Sequence, residues 1–407
     1  MAVNTLTPTW DNQRLTSLDA LRGFDMFWIL GADSLVYALH KMQDNPVTQF
    51  LYNQLGHAEW DGFHFYDLIF PMFVFIMGVS TVFSLTKIIE REGRSAAVKR
   101  VLKRGVLLFI IALIYSGGVT NPWPDMRLMG VLNRISLCYT FGGLLFIFCN
   151  VRVMMAVAAA LLLGYWAMLA LVPFPDVRPT PGGDAPVSLK TGFKDVSQLN
   201  MASTNLIRGS YIQGVNLTDY LDQKYLPARK YDGTYDPEGI LSTLPAFVTG
   251  LLGIFAGLFL RRQSVPDNQK VLCLIGAGAV SATLGWLWGM EMPVIKKIWT
   301  SSYVLVAGGY SAMLLGLFYW IVDVQKKTAW CQPFVWIGMN PITLYLLSNF
   351  IGGYEKLALR LAGGSVKVFF DAHIARGFGD LVIAVVGVLL FVGLARFLYQ
   401  RKIFLRL

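Results

Sequence analysis

The chain has 407 residues, 55% of them hydrophobic and only 15% charged, with a mean hydropathy of +0.52. That is too apolar for a soluble protein of this length, and several apolar runs reach the ~20 residues needed to cross a bilayer core. Lipid offers no partner to an open sheet edge and barrel alternation is absent, so the expected fold class is all-α, a polytopic bundle of transmembrane helices.

Residues 1–16 are polar and have no cleavable-signal pattern, so they read as a cytoplasmic segment ahead of one transmembrane domain, 17–407. About ten spans are predicted, at 17–40, 66–89, 99–118, 127–149, 151–173, 239–261, 268–290, 300–324, 331–352 and 378–400. The basic stretch "KIIEREGRSAAVKRVLKR" follows the second span. With both termini cytoplasmic, it shares a side with "LRRQ" (259–262), Lys326, Lys327 and the tail "YQRKIFLRL", as the positive-inside rule requires. The net charge of +10 is then a topology signal; its charges lie in short loops, and no nucleic-acid partner is expected. The loop holding His57 and the segment 174–238, rich in Pro, Gly and Asp, fall on the opposite, extracytoplasmic side. The latter is the one stretch long enough for a small cap.

Ionisable groups inside spans are costly and face a bundle interior or a wet cavity. The first span holds Asp19, Arg22, Asp25 and Asp33. Asp19 and Arg22 are three apart and can pair on one helix face. Asp33, toward the outer side, has no neighbour in sequence and needs a partner from another helix, hydration or a proton. Asn133 and Arg134 sit in the fourth span. Arg134 reads either as a snorkelling or paired charge, or as an internal charge that attracts an anionic ligand.

At the mouth of the second span, His57 stands beside Glu59, Trp60, Asp61 and Gly62. Histidine suits proton transfer near neutral pH, and nearby carboxylates can orient its ring; a solvated loop histidine is the plainer reading. Asp67, in the first turn of the helix, suits the helix dipole and reads as structural. In "YDGTYDPEGILSTLPAF" (231–247), Asp236 reads as a helix N-cap, with Pro237 and Glu238 in the first turn; the carboxylates can also line a pocket for a polar acceptor. In "GMNPITLYLLSN" (338–349), Asn340 and Pro341 suggest a helix break that exposes backbone to a cavity.

Cys138, Cys149, Cys273 and Cys331 lie in or at the ends of apolar spans and form no CxxC, so neither a disulfide frame nor a metal site is expected. "GAGAVSATLG" (276–285) reads as close helix approach rather than a phosphate loop, and "NLT" (216–218) matches a glycosylation acceptor.

Six blocks, in order between residues 15 and 349, carry a specific likeness: "LTSLDALRGFDMFWILGADSL", "GHAEWDGFHFYDLIFPMFVFIMGVS", "GVLNRISLCY", "YDPEGILSTLPA", "KKIWTSSYVLVAGG" and "GMNPITLYLLSN". Together they resemble the heparan-α-glucosaminide N-acetyltransferase family. The resemblance implies transmembrane acetyl transfer, from acetyl-CoA bound on the cytosolic side to a glucosamine amine on the far side, by a bacterial inner-membrane relative without the large lumenal extension. It implies that His57 is the active-site histidine. It also implies that Asp33 acts with His57 in catalysis, polarising the thioester oxygen or positioning the amine, at a place where the family has asparagine, a substitution that replaces an amide donor by a carboxylate. Arg22, Asn133 and Arg134 are the expected cofactor-binding residues within the bundle. Lys103 and Arg104 are expected at the nucleotide end, or serve topology and anionic lipid. Trp60, Asp61, Asp236 and Glu238 are expected to bind the acceptor. Membrane lipid and a second copy, as homodimer, are the other partners implied. A transporter or flippase for an amino sugar or glycolipid, and an O-acetyltransferase of cell-envelope polysaccharide, are the rival readings.

Overall fold

The computed structural model describes residues 15–118, 120–178 and 199–404, so most of the N-terminal segment and the middle of the 174–238 loop lie outside the described residues. Fifteen α-helices account for most of the rest. Seven of them are long and apolar enough to cross a membrane, or eight if one bent pair is a single span.

The first predicted span is broken. Helix α1 (Thr16–Phe27) runs into a π-helical segment, Trp28–Ala32, before α2 (Asp33–Met42). Gly31 has φ 116° there, a conformation a side chain would oppose. The start of α1 has no side-chain cap of its own. Its Thr16 and Ser17 N–H groups instead donate to the Asp323 carboxylate at 3.2 and 3.1 Å, across more than 300 residues.

After the short α3 (Pro46–Leu55), α4 (Phe65–Tyr115) absorbs the second and third predicted spans together with the basic stretch between them. That stretch stays helical because it is rich in good helix formers; the chain turns only at Gly93 (φ 84°). Next come α5 (Val131–Phe148) and α6 (Val151–Leu171). The described part of the following loop makes two small antiparallel ladders, Phe174–Pro175 with Leu206–Ile207 and Tyr211–Ile212 with Val215–Asn216, and α7 (Leu217–Tyr225). Asn216 of the "NLT" match is fully buried and caps α7 by accepting from Asp219 N–H, which leaves it no access for a glycan.

Helix α8 (Thr243–Leu260) packs on α4, and α9 (Asp267–Trp288) packs along α10 (Ser301–Phe318). The glycines of "GAGAVSATLG" serve this packing: a Cβ on Gly278 would lie 2.6 Å from the Gly309 carbonyl. A π segment, Tyr319–Val324, extends α10. Helices α11 (Gln332–Met339) and α12 (Pro341–Ile351) meet at a 78° bend at Asn340, where the sequence predicts the break. Two short helices, α13 (Tyr354–Ala362) and α14 (Gly364–His373), precede α15 (Phe378–Gln400).

One crossing bears directly on the site. Helices α1 and α11 touch backbone to backbone: a Cβ on Gly23 would stand 1.7 Å from the Phe334 carbonyl, and one on Gly338 would stand 1.9 Å from that of Asp19. Arg22 closes the same level. Its guanidinium donates to Ser80 Oγ at 2.6 Å and to the Gly338 carbonyl at 3.2 Å, joining α1, α4 and α11.

Candidate active site

The site begins at the entrance of α4. Asp67 is in the first turn of that helix, where free backbone N–H groups favour a carboxylate. Its Oδ2 accepts from His64 N–H at 3.0 Å and Ala58 N–H at 3.1 Å. Those bonds fold the loop 56–64 back over the helix start and set His57 Nδ1 2.8 Å from Asp67 Oδ1. The group that reads as a helix-end carboxylate in the sequence is therefore also the orienter of the imidazole. Asp67 is buried, its side chain 1% exposed, while the His57 side chain is 52% exposed and open to a ligand. Tyr303, from α10, donates its hydroxyl to the Asp67 carbonyl at 2.8 Å and fixes the helix start against the bundle.

The loop between α9 and α10 is clipped to the same entrance. Asp61 bridges to Ile295, and Gly62 N–H donates to the Val294 carbonyl at 3.0 Å. This register carries Lys296 to the histidine: its Nζ lies 2.9 Å from His57 Nδ1 and 3.3 Å from Asp67 Oδ1. Burial pushes the Lys296 pKa down, opposed by the attraction of Asp67. The next residue, Lys297, donates to Asp232 at 2.8 Å.

A second charged group faces the first. Arg127 donates to both oxygens of Asp236, at 2.8 and 2.7 Å, and also to Glu238. Burial works against the Arg127 charge, but Asp236 and Glu238 outweigh it and hold its pKa above the ordinary value. Burial, helped by Asp236, pushes the Glu238 carboxyl up. The predicted N-cap at Asp236 is corrected here. Helix α8 starts only at Thr243, and Asp236 serves the part-buried Arg127 guanidinium, which a carboxylate can bind at two points. Trp60 ties this region to the cap, donating its indole N–H to the Tyr211 carbonyl at 2.7 Å.

Between the two groups opens a cavity of about 500 Å³, within the ~300–1,000 Å³ common for small-molecule sites. His57, Trp60, Glu238 and Lys296 line its mouth, and Phe73, two turns into α4, lines its depth. Met26 and Ile29 border it beside the π segment; Pro341, Ile342 and Tyr345 border it at the α11–α12 bend. Both helix breaks thus face hollow space rather than packed wall, which is where irregular backbone in a membrane bundle can be accommodated. Arg22 and its partners stand one turn of α1 beyond Met26, outside the lining itself.

The other predicted site residues are placed as follows. Asp33 is half-buried at the start of α2 and does not line the cavity. Arg22 lies one turn of α1 beyond the lining residue Met26, bonded also to Asp19 at 3.4 Å. Arg134 is fully buried behind the cavity wall: its guanidinium lies 4.8 Å from the centre of the Trp299 ring, which does line the cavity, and donates to Ser242 Oγ at 2.5 Å. Its Nε and Nη1 have no protein partner among the described residues. Asn133 is buried beside it, with Nδ2 3.5 Å from the Phe109 carbonyl. Lys103 is exposed, and Arg104 lies over the Tyr139 ring at 4.8 Å. Asp61 is exposed next to the mouth.

Arg127 and Lys296 are the residues that sequence reasoning missed. Lys296 opens one of the six blocks, so the signal was present without a role attached; nothing local marks Arg127.

Chemically, an ionised Asp67 that accepts from Nδ1–H leaves Nε2 of His57 with its lone pair free, the form a general base needs. Fold and site together define a helical membrane protein with an aspartate-oriented histidine at the mouth of a cavity within the bundle.

Comparison with known proteins agrees with the likeness of the six blocks. Residues 14–180 match the family model described as heparan-alpha-glucosaminide N-acetyltransferase, catalytic. The chain is 28% identical over 388 residues to the human protein named heparan-alpha-glucosaminide N-acetyltransferase, an alignment covering 86% of this chain and 55% of that one. It is 26% identical over 383 residues to the mouse protein of the same name, covering 86% and 56%. The chain therefore spans just over half the length of these curated relatives. The resemblance to this family is borne out, and the names that the model and the relatives carry are those of an N-acetyltransferase, an acyltransferase.

Proposed function

We propose that the chain is a transmembrane N-acetyltransferase, which moves the acetyl group of cytosolic acetyl-CoA to the amine of glucosamine or a terminal glucosaminide on the extracytoplasmic side. The observation that supports this most is the His57–Asp67 pair at the mouth of a cavity that runs into the bundle, in a chain whose likeness is to acetyltransferases. In this reading the chain crosses a bacterial inner membrane about ten times, with the two halves of α4 as separate passes, both termini inside, and a homodimer as the working unit.

The acceptor arrives as an ammonium. His57 takes one proton through Nε2, and the freed amine attacks the thioester carbonyl. The new C–N bond forms and the C–S bond breaks; the thiolate leaves as a thiol by taking the proton held on His57 Nε2, which restores the base, and the amide nitrogen sheds its second proton to water. Glu238 and Trp60 at the mouth, with Asp61 beside it, hold the sugar and its ammonium, while the buried Asp236 keeps Arg127 in place behind Glu238. The donor's acyl arm enters past Arg22. Lys103 and Arg104 meet its nucleotide phosphates on the inner side, with Asn133 and Arg134 supporting the path from behind Trp299. Asp33 lies outside the cavity lining, away from the reacting atoms in this reading.

The test is acetyl transfer by purified protein in proteoliposomes with labelled acetyl-CoA and a panel of amino sugars. An alkali-stable amide on glucosamine, lost in His57→Ala, supports the reading. An alkali-labile ester points to O-acetyl transfer. No acetylated product, with sugar crossing the vesicle wall, points to a transporter.

A further inference from the structure

Lys296 is not used in the chemistry above, yet its ammonium nitrogen is 2.9 Å from His57 Nδ1 and 3.5 Å from Nε2. A general base must be unprotonated when its substrate arrives. A histidine beside a buried carboxylate is ordinarily pulled toward the doubly protonated form, because the carboxylate stabilises the imidazolium. Asp67 is such a carboxylate, fully within the bundle wall and 2.8 Å from the ring.

We infer that Lys296 is a positioning residue for the proposed reaction, whose positive charge neutralises Asp67 and keeps the His57 ring in its neutral, base-competent form. The inference rests on the proposed function only for the identity of the reaction; its physical content concerns the three side chains alone.

The geometry carries it. Asp67 Oδ1 is shared by His57 Nδ1 at 2.8 Å and Lys296 Nζ at 3.3 Å, so the carboxylate already has a cation. The base-competent neutral tautomer fits this triangle: Nδ1–H donates to Asp67 Oδ1, Lys296 pairs with the same carboxylate, and Nε2 keeps its lone pair, whereas the tautomer in which Nδ1 accepts from Lys296 carries its proton on Nε2 and takes none there. A second proton on the ring sets imidazolium against ammonium at 2.9 Å, with one carboxylate to serve both. The other charged groups near the triangle do not reverse this. Glu238, in the turn before α8, is occupied by Arg127, and Lys297 by Asp232. Tyr66 offers the imidazole a ring face at 4.9 Å, and the Tyr303 hydroxyl is spent on the Asp67 carbonyl. The Asp61–Ile295 bridge and the Gly62–Val294 hydrogen bond fix the backbone that presents Lys296 to the ring.

The experiment uses the whole purified protein in detergent and diethyl pyrocarbonate, which reacts with unprotonated imidazole. Modification of the His57 peptide is followed by mass spectrometry across pH, with His40, His64 and His373 as references within the same molecule. In the wild-type chain and in Lys296→Arg, His57 becomes reactive at the lower pH. In Lys296→Met and Lys296→Gln, each checked for folding by size exclusion, the onset moves up by about one to three pH units, and the acid limb of acetyl transfer to glucosamine moves with it. An unchanged or lowered onset in both neutral variants overturns the inference. So does an arginine variant that shifts as far as they do, since packing rather than charge would then be the cause. If the onset shifts as expected but no amino sugar is ever acetylated, the proposed function fails and the electrostatic role stands. If glucosamine is acetylated and the onset does not shift, the role fails alone.

Discussion

Arg127 and Asp236 are 109 residues apart in sequence and joined by two hydrogen bonds, at 2.8 and 2.7 Å, with the aspartate side chain fully buried. The pair fastens the loop before α5 to the turn before α8 and so holds one wall of the cavity mouth. Arg127→Ala leaves Asp236 buried without its cation, a loss of about 3–5 kcal/mol by analogy with other broken buried pairs. The expected outcome is a clear fall in apparent unfolding temperature in detergent. Arg127→Lys recovers only part of it, because an ammonium cannot match both carboxylate oxygens.

Asp67→Asn tests the orienter. The amide has nearly the same shape and retains one acceptor for the backbone N–H groups of Ala58 and His64. It no longer holds the ring with its proton on Nδ1. Acetyl transfer is expected to fall by about 10²–10⁴-fold in kcat, with a smaller change in KM. A variant with near wild-type kcat would remove Asp67 from the mechanism.

The crossing of α1 with α11 tolerates no side chain. Gly338→Ala puts a methyl 1.9 Å from the Asp19 carbonyl, and Gly23→Ala one 1.7 Å from that of Phe334, each against backbone that cannot rotate away. About 1–3 kcal/mol of destabilisation is expected for each, read as a lower apparent unfolding temperature. Gly276→Ala, where nothing lies within 4 Å, is the matched control and should be neutral.

The extramembrane acids predict a pH dependence. Burial raises the Asp222 carboxyl to about 7, and Asp219 and Glu238 are also pushed up by burial. The unfolded carboxyl titrates near ~4, so between these values the folded chain binds more protons than the unfolded one. The stability this group contributes is complete below about pH 4 and is lost as pH rises through about 7. Asp222→Asn, which can still accept from Ile240 N–H (2.9 Å in the native chain), should flatten that part of the profile. Limited proteolysis of the 217–242 region from pH 4 to 8 checks it: wild type becomes more readily cleaved with rising pH, and the variant changes less.

Legibility in the sequence followed the range of the interactions involved. Helical periodicity and apolar length act over a few turns, and helices stand where the apolar runs predict them. The break at Asn340 was readable because proline excludes a helical neighbour locally. The breaks at Gly31 and Gly93 were not: a glycine in an apolar run is tolerated in a helix, and only packing decides that it bends. Asp236 shows the converse. Its local pattern, acid–proline–acid–glycine, is a good helix start, and a distant arginine overrode it.

By itself, then, the sequence determined that this chain is a helical membrane protein and that it resembles a family of acetyltransferases, a resemblance that makes His57 the expected active-site histidine, since composition and block order are local properties. Only the tertiary structure decided what that histidine touches. Asp67 is ten residues away and Lys296 is 239, and their meeting depends on a helix start and a loop pinned at Asp61–Ile295. Electrostatic partnership falls off within a few ångströms, while chain separation says nothing about distance once the bundle has closed.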